Sequence, residues 1–180
     1  MAGEHIISLL DNDPANPHGI GRFRMGGSDD KDLQNFIRRV ARKSAKANLT
    51  TTYVACSAEA PGIVVGYITL MCAEVQLDGQ SLIPDKPGAD RYKRHPAVRI
   101  ARLAVEGSAQ RSGVGRKLLT VALGIIVDHI QPYVGCRFVI LDSVKKSQDF
   151  YARHGFRHLD TVSNRSSPTS LMFLDLKNLA

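Results

Sequence analysis

The passage from Val98 to Ile130 limits the fold of this chain more than any other. An apolar run ending in Arg102-Leu-Ala-Val105 leads into the polar, glycine-bearing stretch Glu106-Gly-Ser-Ala-Gln-Arg-Ser-Gly-Val-Gly115, and an apolar helical pattern follows. Val98 to Val105 reads as a central strand, with Ala101, Leu103 and Val105 on one face and Ile100, Arg102 and Ala104 on the other. From about Gly113 to Ile130 the spacing places Val114, Leu118, Val121, Ala122, Ile125 and Ile126 on one wide helical face, and Pro132 makes continuation costly. A helix opened through such a turn leaves its first N–H groups without intrahelical acceptors. Glycines there admit a ligand without a Cβ in the way, and the helix dipole favours an anion. Gln110, Arg111, Ser112, Gly113, Val114 and Gly115 are therefore a candidate pyrophosphate cradle, with Arg111 and Arg116 supplying charge. A Walker loop would end in Gly-Lys-Ser or Gly-Lys-Thr, and a dinucleotide fingerprint would begin with Gly where Gln110 stands.

The rest of the chain alternates strand and helix signals, so the expected fold class is mixed α/β, one domain over residues 1–180. Asn12 to Gly27 reads as irregular, with Gly19 to Met25 offering a short edge strand. Asp29 or Asp30 can cap a helix to about Ala47 that buries Leu33, Phe36, Ile37, Val40 and Ala41. Thr50 to Ala58 and Ile63 to Ala73 form a hairpin about a turn at Ala60, Pro61 and Gly62, and Asp78 to Pro96 is a long connection. Cys136 to Leu141 suits a buried parallel strand. Asp142 or Ser143 can cap a helix from Val144 to His154, which Gly155 stops. Phe156 to Leu159 and Ser170 to Leu176 are strands separated by a polar turn at Ser163 to Thr169.

With 24 Lys and Arg against 17 Asp and Glu, the chain carries a formal charge of +7, a surface that attracts polyanions. The charge is concentrated in Arg38, Arg39, Arg42 and Lys43 on the first helix and in Arg91, Lys93 and Arg94 in the long connection. No apolar run reaches the roughly 20 residues that span a bilayer, and no leader peptide is indicated, so no membrane is expected. Cys56, Cys72 and Cys136 read as buried free thiols in a reducing, cytoplasmic setting, and none has a second ligand at metal spacing, so no metal is expected.

Arg102 to Gly115 resembles the acetyl-CoA signature of the GCN5-related N-acetyltransferase family, and Phe150-Tyr-Ala-Arg-His-Gly-Phe156 resembles its second signature. The resemblance implies a central mixed, splayed β-sheet flanked by helices, with Val98 to Phe156 the acetyl-CoA-binding core. It implies that acetyl-CoA, the co-substrate, enters a V-shaped gap between Val98–Val105 and Cys136–Leu141. Amides near Leu103, Ala104 and Val105 would hold the pantetheine and polarise the thioester carbonyl. It makes Tyr151 the general acid that protonates the departing thiolate; the plain alternative is a core tyrosine packed against Phe150 and Phe156.

No carboxylate stands out as a general base. An α-amine, with a reference pKa of about 7.7–8.0, is already partly neutral, whereas a lysine amine near 10.4 is not, so a base-poor site favours an α-amine acceptor. Phe23-Arg-Met-Gly26, Leu33, Phe36, Ile37 and the basic residues around Arg38 to Arg42 resemble acetyltransferase toxins of bacterial toxin–antitoxin pairs. That subgroup often has Cys where Met25 stands and a shorter gap before the helix. The resemblance implies acetylation of the α-amine of aminoacyl-tRNA, which blocks translation, a homodimer, and a cognate antitoxin of ribbon-helix-helix type. Arg91, Lys93, Arg94, Arg38, Arg39, Arg42 and Lys43 are the candidate tRNA contacts. The other readings are an acetyltransferase for a small amine or protein N-terminus, and a catalytically silent acetyl-CoA-binding regulatory module.

Overall fold

The computed structural model describes residues 4–10, 18–27, 30–77 and 94–179. The fold is a mixed α/β arrangement with a seven-stranded sheet in the order β1-β2-β3-β4-β5-β7-β6: β1 is His5–Leu9, β2 Thr51–Ser57, β3 Ala60–Gln76, β4 Arg94–Val105, β5 Phe138–Val144, β6 Arg157–His158 and β7 Thr169–Asp175. The chain divides into two compact units, Met1–Met71 with Ile100–Ile125 and Cys72–Arg99 with Ile126–Ala180, and the long strands β3 and β4 contribute to both. The expected long connection Asp78 to Pro96 shortens at its end, because β4 already begins at Arg94; residues 78–93 lie outside the described residues.

In the first unit, β1 pairs antiparallel with β2 from His5↔Ser57 to Leu9↔Tyr53, and is the edge strand. The edge expected at Gly19 to Met25 is instead a 3-10 turn, Ile20–Arg22, closed by the Phe23 N–H donating to the Ile20 carbonyl at 3.2 Å. β2 and β3 form the expected hairpin, but its turn is Ala58–Glu59. Register shifts at Ala55/Cys56 and Cys56/Ser57 absorb the extra residues, so Gly62 takes its positive φ of 88° within the strand.

The first helical segment comprises α1 (Lys31–Asn35), a π-helical turn (Phe36–Val40) and α2 (Ala41–Lys46). Phe36, Ile37 and Ala41 are buried as their spacing requires, and Leu33 is half-buried against the same cluster. Val40 is 46% exposed, contrary to the sequence pattern, because a π turn holds more residues than an α turn and rotates it off the buried stripe. Asp30 occupies the cap position without a side-chain cap hydrogen bond; Asp29 lies outside the described residues. α3 (Val114–Ile125) continues into a second π turn, Ile126–Ile130. It buries Val114, Leu118, Leu119 and Ala122, whereas Val121 and Ile125 are only half-buried.

In the second unit, β4 and β5 pair in parallel over Ala97↔Phe138, Val98↔Val139 and Arg99↔Ile140. The gap expected to run along Val98–Val105 is therefore closed at Val98 and Arg99, where strand hydrogen bonds occupy it. β5 pairs antiparallel with β7 from Phe138↔Asp175 to Val144↔Thr169, and β6 joins β7 through only two residues. Val75, Ala97, Phe138, Ile140 and Phe173 form the apolar cluster here. Neither Asp142 nor Ser143 caps the next helix, α4 (Lys145–Ala152), because β5 runs on to Val144. Asp142 instead pairs with Arg99, and the Ser143 hydroxyl donates to the Val144 carbonyl. Gly155 ends the helical segment at φ +86°. The polar turn expected at Ser163 to Thr169 is largely a short helix, α5 (Val162–Ser166), because the Thr161 hydroxyl accepts the Asn164 N–H at 3.2 Å. Cys72 is exposed, against expectation, while Cys56 and Cys136 are buried.

Asp175 is 2% exposed at its side chain and accepts two bonds from Arg137, at 2.6 and 2.8 Å. Removing one member of such a pair strands the other charge. Arg137→Met should lower the unfolding free energy by about 3 kcal/mol. Urea denaturation checks this, and a loss below about 1 kcal/mol would show that the pair is dispensable. Among the described residues, no helix is long and apolar enough to cross a membrane.

Candidate active site

The candidate cradle begins where β4 ends. The Glu106 N–H donates to the Val65 carbonyl at 2.8 Å, and the Gly107 N–H to the Arg24 carbonyl at 3.0 Å, anchoring the chain on both sides as it leaves the sheet. A 3-10 turn, Gly107–Ala109, follows; the Ser112 hydroxyl then donates to the Ala109 carbonyl at 2.6 Å and the Gln110 amide to the Val105 carbonyl at 3.4 Å. Gln110 and Ser112 thus spend these side-chain donors on shaping the turn.

Arg111 and Gly113 both have left-handed backbone, at φ +63° and +89°, on either side of Ser112. Such alternation curls successive N–H groups toward one point. A Cβ on Gly113 would meet nothing within 4 Å, so glycine is required for its backbone conformation and the space beside it is open. The bond from the Lys117 N–H to the Gly113 carbonyl, 3.0 Å, starts the helix, which leaves the N–H groups of Val114, Gly115 and Arg116 ahead of the first intrahelical bond. Beside this terminus lies an open groove of about 640 Å³, lined by Ser112, Gly113, Arg116, Lys117 and Thr120, by His5 at the start of the edge strand and by Glu4 just before it. Two cations against one carboxylate keep it receptive to an anion. Of the segment expected to hold pantetheine, Ala104 is buried and Leu103 and Val105 are half-buried.

Gly66 was not anticipated. A Cβ there would lie 2.7 Å from Val114 Cγ1, 3.0 Å from Leu118 Cδ1 and 3.3 Å from the Ala104 carbonyl oxygen. Its bare backbone lets α3 settle onto β3 beside the cradle. The only sequence signal was a glycine inside an apolar strand.

Tyr151, in the second unit, is 8% exposed on α4, with its ring edge-on to Phe150 (5.1 Å) and to Phe156 (5.7 Å). Both the packing role and an available phenol coexist, because among the described residues its hydroxyl makes no hydrogen bond. Burial pushes its pKa up to about 12, so the proton stays on at neutral pH.

The basic residues separate into two groups. Arg38 donates to the Phe23 carbonyl and Arg42 to the His18 carbonyl at 3.3 Å, so these two tie the helix to the preceding segment, while Arg39 and Lys43 are exposed. Arg94 is exposed and paired with Glu74, which offsets its charge; Arg91 and Lys93 lie outside the described residues. Among the described residues, no group of three His, Cys, Asp or Glu side chains could hold a metal ion.

No curated protein matches the chain. Solved structures match it over nearly its whole length. A bacterial toxin is 21% identical, with 98% of this chain and 93% of that chain covered and a TM-score of 0.82. A tyrosine-to-phenylalanine variant of KacT is 21% identical over 98% and 97%, with a TM-score of 0.80. AtaT complexed with acetyl-methionyl-tRNAfMet is 21% identical over 98% and 97%, with a TM-score of 0.77. At this identity the likeness shows a shared fold. Residues 49–158, which contain the glycine turn, the α3 terminus and Tyr151, match the model of the acetyltransferase (GNAT) domain, and the chain belongs to that family.

Proposed function

We propose that this chain is a toxin-type N-acetyltransferase that transfers the acetyl group of acetyl-CoA to the α-amine of aminoacyl-tRNA and so blocks translation. The observation that carries the choice of acceptor is the likeness, over 98% of this chain, to AtaT complexed with acetyl-methionyl-tRNAfMet. Other structures of similar fold include AtaT bound to acetyl-CoA and the C-terminus of the antitoxin AtaR. On this reading residues 1–180 work as one acetyltransferase domain with 98–156 as its cofactor core. The partners are charged tRNA, a second copy of the chain and a small antitoxin of ribbon-helix-helix type, and the setting is the cytoplasm, where charged tRNA is found.

The residues present fit acetyl-CoA, since an open glycine at a helix terminus and the cations Arg116 and Lys117 suit a pyrophosphate. When bound, it supplies the thioester carbonyl and a thiolate leaving group. The N–H groups from Arg111 to Gly115 hold the pyrophosphate, with Gln110 and Ser112 keeping the turn in shape. Amides near Leu103, Ala104 and Val105 hold the pantetheine and donate to the carbonyl oxygen as negative charge develops there. Tyr151 holds its proton until the C–S bond breaks and then gives it to sulfur. Burial keeps the phenol protonated until that step. An α-amine, partly neutral near pH 7.7–8.0, needs no dedicated base.

The test is incubation with labelled acetyl-CoA and separate pools of charged tRNA, uncharged tRNA, peptides and polyamines. Label should enter charged tRNA and be released with the amino acid on mild alkaline deacylation. Label in peptides or polyamines alone would replace the tRNA reading with a small-amine or N-terminal one, and binding without transfer to any amine would make the chain a regulatory module.

A further inference from the structure

We infer that Arg102 is a binding residue for a phosphate group at the acceptor end of the RNA, an inference that rests on the aminoacyl-tRNA reading above. Arg102 lies on β4, one residue before Leu103, and its guanidinium carbon sits 3.9 Å from the centroid of the Phe36 ring. That ring is itself fixed. Phe36 is 5% exposed and stacks on Tyr67 at 6.2 Å, Tyr67 meets the Phe23 ring edge-on at 5.5 Å, and the Tyr67 hydroxyl donates to the Leu33 carbonyl at 2.7 Å. The ring face holds the cation at this position by a cation–π contact, which leaves its N–H donors free for a ligand.

Those donors are uncommitted. Among the described residues Arg102 makes no hydrogen bond or ion pair, although it is half-buried. Arg94, Arg99, Arg137 and Arg165 each meet a carboxylate, and Arg38 and Arg42 each meet a carbonyl. Arg102 has no buried unpartnered nitrogen, in contrast to Arg38 Nε, so its donors are open to an incoming ligand, and a planar fork matches phosphate in two-point fashion. On the helix that carries Phe36, the buried Nε of Arg38 has no acceptor, which adds positive character around the same aromatic cluster.

A phosphate could come from the RNA or from acetyl-CoA. The observations favour the RNA, because the groove at the α3 terminus has Arg116 and Lys117 in its lining and does not include Arg102. Arg102 also packs on Phe36, within the segment that carries the basic residues Arg38 to Lys43.

The experiment compares the full chain with Arg102→Gln and Arg102→Lys on two acceptors: charged tRNA, and puromycin, an aminoacyl-nucleoside with an α-amine and no phosphate. Arg102→Gln should raise KM for charged tRNA about tenfold, with Arg102→Lys intermediate, while the puromycin rate and KM for acetyl-CoA stay within about twofold. The slope of log KM against log salt should fall by about 0.7, the mark of one lost phosphate contact on a single strand. An equal loss on both acceptors, an unchanged salt slope, or a raised KM for acetyl-CoA would overturn the inference. If the unaltered chain acetylates neither acceptor, the enzymatic reading fails separately, and anisotropy of fluorescein-labelled tRNA decides the binding role. Weaker binding and a shallower salt slope for Arg102→Gln support it; equal affinity ends it. Thermal unfolding of each variant separates loss of fold from loss of contact.

Discussion

Tyr151→Phe should lower kcat by at least about 100-fold and leave the affinity for acetyl-CoA within about twofold, because a positioned general acid contributes roughly 10²–10⁴ in rate. The substitution removes one oxygen from a ring whose packing is otherwise kept, edge-on to Phe150 and Phe156. With no hydrogen bond from the hydroxyl among the described residues, folding stability should change by less than about 0.5 kcal/mol. Stopped single-turnover transfer, calorimetric titration with acetyl-CoA and thermal melts measure these three quantities. Unchanged turnover at saturating substrates would return Tyr151 to a purely structural role.

The pH dependence follows from the same burial. The folded pKa is pushed up to about 12, above the unfolded value near 10. The protonated phenol is therefore favoured by folding. Its contribution to stability is fully present below about pH 10 and is lost as pH rises toward about 12. Turnover should show no alkaline fall from tyrosine ionisation below about pH 10. A fall centred near pH 8 that disappears in Tyr151→Phe would contradict the stated environment.

Gly66→Val should lower the unfolding free energy by about 3 kcal/mol, at the upper end of ordinary overpacking costs, and raise KM for acetyl-CoA about tenfold or more. Even the first added carbon would sit 2.7 Å from Val114 and 3.0 Å from Leu118, which are 1% and 0% exposed and cannot swing into solvent. The strain must lift the start of α3 or bend β3, and the helix terminus is part of the proposed cradle. Gly21→Ala, where a Cβ meets nothing within 4 Å, is the control and should alter neither quantity. Urea unfolding and initial rates at varied acetyl-CoA check both; a fully stable Gly66→Val with normal KM would mean that the helix adjusts without cost.

Residue order alone was enough for the mixed α/β class, the strand from Val98 to Val105, the helix after Gly113 and the stop at Gly155, because each rests on local patterning or on a backbone conformation that glycine serves best. The glycine turn between β4 and α3 was legible for the same reason, since it is one continuous segment. Tertiary structure decided what depends on distant partners. Asp142 suits a helix cap by residue type, yet Arg99, 43 residues earlier, engages it. Arg38 and Arg42 look like surface charge in a list of basic residues, but their guanidinium groups reach the carbonyls of Phe23 and His18. Val40 fits the apolar stripe until a π turn rotates it outward. Gly66 carried only the weak signal of a glycine inside an apolar strand and the packing of Arg102 carried none, because one is set by the approach of a helix 48 residues later, at Val114, and the other by a ring 66 residues earlier, at Phe36. Periodicity and turn chemistry are properties of neighbours in the chain, whereas close approach, counter-charge and stacking are properties of neighbours in space.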